Sequence, residues 1–224
     1  MKLLLTSGGV TNPSIHAALV NLLGKPASEA DALCIPTAAY AHPWAGPRAA
    51  WNFISGRNTV NAMCSLGWKS LGVLELTTLP SLDPALWHKW VQQADVLLAD
   101  GGDSLYLCHW MRESGLAELL PSLKAVYVGM SAGSMVMTPR IGRDFVGWEP
   151  AAGDDRAIGM VDFSIFPHLA HPQMPDNTLQ NAEKWAVEIA GPAYAIDDQT
   201  AIVVAGGKVE VVSEGQWMRF GPGG

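Results

Sequence analysis

Three times along this chain a short apolar run stops on glycine, and a helix-forming stretch follows. Lys2–Thr6 runs into Ser7-Gly8-Gly9, Ala94–Ala99 into Asp100-Gly101-Gly102, and Ala125–Val128 into Gly129-Met130-Ser131-Ala132-Gly133. Two further apolar runs, Ala32–Pro36 and Leu71–Leu76, are also followed by helical patterns. Strands that each lead into a helix call for a mostly parallel sheet with helices on both faces. The helices expected between them start with one ending near Leu23, capped by Asn12 or Ser14. Next come Pro43–Leu66, with Trp44, Trp51 and Phe53 packing along it, and Pro84–Gln92, with Leu86, Trp87 and Trp90 on its apolar side. Leu105–Glu113 and a short helix near Leu116–Leu123 lead to the third glycine turn. A helix over Ala132–Met137 is stopped by Pro139.

The second half reads differently. Residues 140–156 are polar and glycine-rich. Ile158–Phe166 is strand-like, and Thr178–Ile189 is an amphipathic helix. Ala193–Ile196, Ala201–Ala205 and Val209–Val212 read as short strands, with Gly206-Gly207 as a two-residue hairpin turn. With 224 residues, 49% hydrophobic and 16% charged, the chain fits one α/β domain over residues 1–224. A net charge of −7, with no Lys/Arg cluster, argues against a nucleic-acid surface. No apolar run is long enough to span a membrane, and the apolar start is too short for a signal peptide. Cys34, Cys64 and Cys108 are scattered, with no C-x-x-C spacing, which points to reduced thiols in the cytoplasm.

Gly129-Met130-Ser131-Ala132-Gly133 is a G-x-S-x-G sequence. In that pattern a serine sits on a tight strand-to-helix turn, and glycines two residues away on each side avoid collision with the neighbouring strand and helix. Chance alone gives about 0.15 such matches in a chain of this composition. A plain helix cap is the competing reading. In doubly wound sheets ligands sit beyond the carboxyl ends of the strands, so Gly101-Gly102 falls on the same sheet edge as Ser131. A glycine N–H there suits an oxyanion hole. Ser7-Gly8-Gly9 has neither dinucleotide nor P-loop spacing and reads as a tight turn.

A serine nucleophile needs a base, and the base needs a group to orient it. His16, His88 and His109 fall inside expected helices. His42 follows the second strand. His168 ends a strand beside Pro167, downstream of the elbow, and is the first candidate base, with His171 second. Asp144, Glu149, Asp154 and Asp155 lie between serine and histidine. Asp144 ranks first as the acid, Glu149 second, and Asp162 is a weaker third.

Taken together, Val128-Gly-Met-Ser-Ala-Gly133, Asp100-Gly-Gly-Asp-Ser104 and Val161-Asp-Phe-Ser-Ile-Phe-Pro-His168 resemble the peptidase E family. These are dipeptidase E or α-aspartyl dipeptidases, with cyanophycinase a more distant relative. The resemblance runs from Leu3 to about Val212. It implies an α/β three-layer sandwich of the class I glutamine amidotransferase-like (flavodoxin-like) kind, with serine at the elbow in place of cysteine. It also implies Ser131 as nucleophile, His168 as base, Gly102 and the Ala132 N–H as oxyanion hole, and an acid in the Asp144–Glu149 region. Hydrolysis of dipeptides with an N-terminal aspartate, without metal or cofactor, follows from the same likeness. The partner would be a small peptide and the protein a monomer or homodimer. The family's arginine in the helix after the histidine is missing from Asn177–Lys184. Lys184 or Arg143 then stands in for it, with Arg140 and Arg156 as others, and Gly101 and Asp103 complete the candidate substrate-binding set. An esterase, an amidohydrolase of other specificity and an inactive binding module of the same fold are the alternatives.

Overall fold

The computed structural model describes residues 1–43, 46–57, 63–149 and 153–221. In chain order, β1 (Lys2–Thr6) leads to α1 (Pro13–Leu23), then β2 (Asp31–Ile35), α2 (Gly46–Ile54), β3 (Ser70–Val73), α3 (Pro84–Gln93), β4 (Val96–Ala99), α4 (Ser104–Glu113) and α5 (Leu116–Leu119). The chain continues through β5 (Val126–Met130), α6 (Ala132–Met135), β6 (Ser164–Phe166), α7 (Leu179–Ile189), β7 (Ala193–Ile196), β8 (Thr200–Ala205), β9 (Lys208–Ser213) and β10 (Trp217–Phe220). The main sheet has the order β3-β2-β4-β5-β1-β8-β9, and a small sheet has the order β10-β7-β6. Pairing is parallel from β3 to β1 and antiparallel where β8 joins β1 and β9 joins β8. This is the mixed α/β, mostly parallel architecture expected from the alternation of strands and helices.

Period-two side-chain alternation divides the strands between two cores. Leu3, Leu5, Leu97, Ala99 and Tyr127 face a core shared with Trp87, Leu105, Leu107 and Met111 from α3 and α4. Leu4, Val96, Leu98, Val126 and Val128 face another, shared with Ile15 and Leu19 of α1 and Phe53 of α2. A third, smaller core lies under α7, where Trp185, Ala182 and Ile189 meet Phe166, Ala193 and Ala195.

Local signals explain most boundaries. Asn12 caps α1 by accepting from the Ile15 N–H, and Pro13 follows at the first turn. Thr178 caps α7. Gly206 and Gly207 both take positive φ, 57° and 76°, and close the β8–β9 hairpin. Two expectations change. Trp51, Leu86 and Trp90 are exposed, so of Trp51, Trp87 and Trp90 only Trp87 reaches the core. Trp44 and residues 58–62 of the expected Pro43–Leu66 helix lie outside the described residues, as does the tail beyond Gly221. The strand expected over Ile158–Phe166 covers only 164–166. The N–H groups of Ile158, Gly159, Met160 and Val161 donate instead to carbonyls of Val136, Thr138 and Met137 at the end of the elbow helix. Among the described residues no helix is long and apolar enough to cross a membrane.

Candidate active site

The carboxyl ends of β1, β4 and β5 meet at Ser131. Its backbone lies at φ 49°, ψ −111°, a conformation that costs a non-glycine residue about 1–3 kcal/mol and persists only where its surroundings enforce it. Those surroundings are explicit. The Ser131 N–H donates to the Thr6 carbonyl at 3.0 Å, and the Ser134 hydroxyl donates to the same oxygen at 2.7 Å. The Tyr127 hydroxyl donates to the Gly133 carbonyl at 2.7 Å. A Cβ on Gly133 would lie 2.5 Å from the Ala99 oxygen, and one on Gly129 would overlap the Gly133 carbonyl. The glycines of the elbow are therefore steric requirements of this crossing.

His168 meets the serine. Its Nε2 is 2.8 Å from Ser131 Oγ, and its Nδ1 is 2.7 Å from Asp198 Oδ1. A carboxylate only accepts, so Nδ1 carries the proton and Nε2 is free to accept from the Ser131 hydroxyl. His168 itself has φ 56°. Its loop is fastened by the His168 N–H donating to Ser7 Oγ, Leu169 N–H to the Ile196 carbonyl and Ala170 N–H to the Asn177 carbonyl.

The acid on this histidine is Asp198, which corrects the expectation of Asp144 or Glu149. Asp198 lies in the turn between β7 and β8. Because β8 runs antiparallel to β1, with Thr6 opposite Ala201, that turn falls at the carboxyl end of β1. Gly8 leaves it room, since a Cβ there would stand 2.8 Å from the Asp198 Cβ. Burial pushes the Asp198 carboxyl up, but hydrogen bonds and charge from His168, the Ser7 hydroxyl and His171 together bring it below the ordinary carboxylate value. Asp144 and Glu149 are exposed, as is Asp162. Asp155 instead accepts from Arg140 and from the Gly142 N–H. His171 stands on the far side of the carboxylate, with Nε2 3.6 Å from Asp198 Oδ2. The signal for Asp198 was an aspartate pair, Asp197-Asp198, immediately before a strand, and it becomes informative only once the direction of that strand is known.

Beside the serine, a Cβ on Gly101 would sit 3.5 Å from the Ser131 Cβ. Gly102 has φ 140° and packs so tightly on the Ala38 carbonyl that no side chain fits. Among the described residues neither the Gly102 nor the Ala132 N–H donates to a protein acceptor. Ala132 opens α6, where an N–H lacks an intrahelical partner by construction. The Gly101 N–H, by contrast, donates to Asp100 Oδ1 at 2.8 Å.

The structure does not bring the remaining substrate-binding candidates into the serine–histidine–aspartate cluster. Asp103 is buried, and each of its oxygens is engaged. Oδ1 caps α4 by accepting from Leu105 and Tyr106 N–H, and Oδ2 accepts from Trp148 N–H at 2.6 Å. It joins α4 to the 143–149 loop and has no free oxygen for a ligand, which corrects its expected role. Lys184 lines a cleft of about 370 Å³ with Asp144, Phe145, Phe166, Asp176, Asn177 and Asn181. Arg143 is exposed in a 3-10 turn. Arg140 and Arg156 pair with Asp155 and Asp154. Two of the thiols are held protonated: burial pushes Cys108 up to about 11, and a hydrogen bond with Cys34 plus burial push Cys64 higher still. No group of metal-ligating side chains is found among the described residues.

Such a layout is that of an α/β protein with a candidate serine nucleophile at the carboxyl end of a parallel sheet and a carboxylate brought to the histidine from a separate turn. Residues 3–212 match the family model Peptidase family S51, and the chain belongs to that family. Membership supports a serine peptidase. Two solved structures share the fold. One is a candidate peptidase E protein from Listeria monocytogenes EGD-e, with TM-score 0.67 and 19% identity over 96% of this chain and 98% of that one. The other is a peptidase from an acI-B1 Actinobacterium, with TM-score 0.66 and 17% identity over 100% and 95%. At these identities the likeness is one of fold. A comparison with curated proteins finds no match.

Proposed function

We propose that this protein is a cofactor-free serine exopeptidase that hydrolyses dipeptides, with N-terminal aspartate as the preferred residue. The observation that carries the hydrolytic part is the continuous hydrogen-bonded chain Ser131–His168–Asp198. Ser131 Oγ attacks the peptide carbonyl carbon while its proton moves to His168 Nε2. The oxygen that becomes negative receives the Gly102 and Ala132 N–H groups. On collapse the C–N bond breaks and the leaving amine takes the proton from Nε2. Water then attacks the acyl-enzyme and gives its proton to the same nitrogen, and Ser131 Oγ recovers that proton as it leaves. Asp198 keeps the imidazole in the tautomer with Nδ1 protonated and stabilises the imidazolium.

The aspartyl preference rests on the family resemblance. A hydrolase of other specificity is the second reading, favoured by one observation: Lys184, the cation that would replace the missing arginine, shares its cleft with Asp144 and Asp176. A bidentate arginine grips a carboxylate more selectively than a lysine flanked by acids. Turnover of a dipeptide panel containing Asp-X, Asn-X and Gly-X decides between them. The proposal predicts Asp-X hydrolysis that falls at least about a thousandfold in Ser131→Ala. Equal rates for Asp-X and Asn-X would remove the aspartyl preference. Unchanged turnover in Ser131→Ala would remove the serine mechanism.

A further inference from the structure

We propose that Ser7 is a positioning residue of this active site, a fourth member of the chain that holds both the base and the acid through a single hydroxyl. The catalytic part of this inference rests on the serine-peptidase reading; its structural part does not.

A serine hydroxyl has one proton to give and lone pairs to accept with. Ser7 is fully buried, and it uses both capacities within the site. Its proton goes to Asp198 Oδ1 at 2.7 Å, and its oxygen receives the His168 N–H at 2.7 Å. The same oxygen lies 3.4 Å from His168 Nδ1. Asp198 Oδ1 therefore takes two short hydrogen bonds, from Ser7 and from the imidazole. Among the described residues no other group donates to that carboxylate at hydrogen-bond distance. His171 approaches Oδ2 only to 3.6 Å, too far for a hydrogen bond.

The ordinary role of a serine after a strand is to bond its own turn two or three residues on. Ser7 does not do this. Its partners are 161 and 191 positions away. The local task falls to Thr6, whose hydroxyl receives the Gly9 N–H and donates to the Gly129 carbonyl. The Thr6 carbonyl holds the Ser131 N–H. Residues 6 and 7, consecutive at the end of one strand, thus touch all three members of the triad. The His168 backbone is in the left-handed region, and its N–H bond to Ser7 helps hold it there. Losing Ser7 Oγ frees the acid to rotate and removes one tether from the base.

Ser7→Ala, Ser7→Thr and the parent protein test the assignment through kcat, KM and the low-field proton resonance of His168 Nδ1–H. The expected result for Ser7→Ala is a kcat lowered about tenfold with KM within about twofold, and a resonance that shifts or broadens through faster exchange. Ser7→Thr, which keeps the hydroxyl, restores the resonance and most of kcat. If Ser7→Ala does not fold, Ser7→Cys, with a side chain of similar size and a weak donor, is read in the same way. Parent-like kcat and an unshifted resonance in the alanine or cysteine variant would overturn the proposal. The resonance needs no turnover, so a parent protein that hydrolyses no peptide counts against the peptidase reading while the resonance still decides the role of Ser7.

Discussion

Asp100 shows how closely the site's supporting residues are shut away from water. It ends β4, directly before the Gly101-Gly102 turn, and is 5% exposed. Burial, only partly offset by the Gly101 N–H, pushes its carboxyl up to about 8. Between the ordinary carboxylate value and about 8, the folded chain keeps a proton that the unfolded chain releases. Stability from this group therefore falls as pH rises through that window and levels off above it. Asp100→Asn keeps an oxygen for Gly101 and has no charge to bury. It is expected to exceed the parent in urea stability at pH 8.5 by roughly 2 kcal/mol, with the gap closing toward pH 5. A parent protein equally stable at both pH values, matched by the variant, would contradict this. The placement of single residues was partly legible in advance. Ser131 and His168 were readable because each ends a strand, whereas Asp103 was misread as a ligand contact because its N-cap and loop bonds appear only in three dimensions.

The glycine turns that end the strands have different physical reasons. Gly133 is needed for contact: its missing side chain lets α6 rest on the Ala99 carbonyl. Gly206 is needed for conformation alone, at φ 57° with nothing within 4 Å. Gly133→Ala is expected to lose roughly 3 kcal/mol of stability in urea unfolding, and Gly206→Ala only about 1 kcal/mol. Comparable losses would show that the elbow crossing has slack. Strand-then-glycine sequences made β1, β4 and β5 legible almost to the residue. Helix faces were less so. Tryptophan on α2 and α3 signals apolarity but not direction, and Trp51 and Trp90 face solvent. Residues 158–161 look like a strand because they are apolar, yet their N–H groups are taken by the end of the elbow helix. β10 is a four-residue strand, three of whose residues are exposed, and it was missed because exposed residues carry no alternation of burial to read.

Across the molecule, the candidate active site is assembled from β1, β5, the loop after β6 and the turn before β8. The parallel half of the sheet could be anticipated from the repeated strand–helix order, and with it the edge where Ser131 sits. The antiparallel addition of β8 to β1 could not be, because three short strands in a row do not reveal which existing strand they join. That single topological fact brings Asp198, beyond the histidine in sequence, to the imidazole in place of the acids of the polar loop after the elbow. The catalytic parameters of Asp198→Asn, set beside those of Asp144→Asn and Glu149→Gln, test this assembly most directly. The account predicts a fall in kcat of about 10³–10⁴ for Asp198→Asn, and values within about twofold of the parent for the other two. An Asp198→Asn enzyme that keeps most of its kcat, with Asp144→Asn or Glu149→Gln losing it, would contradict the account.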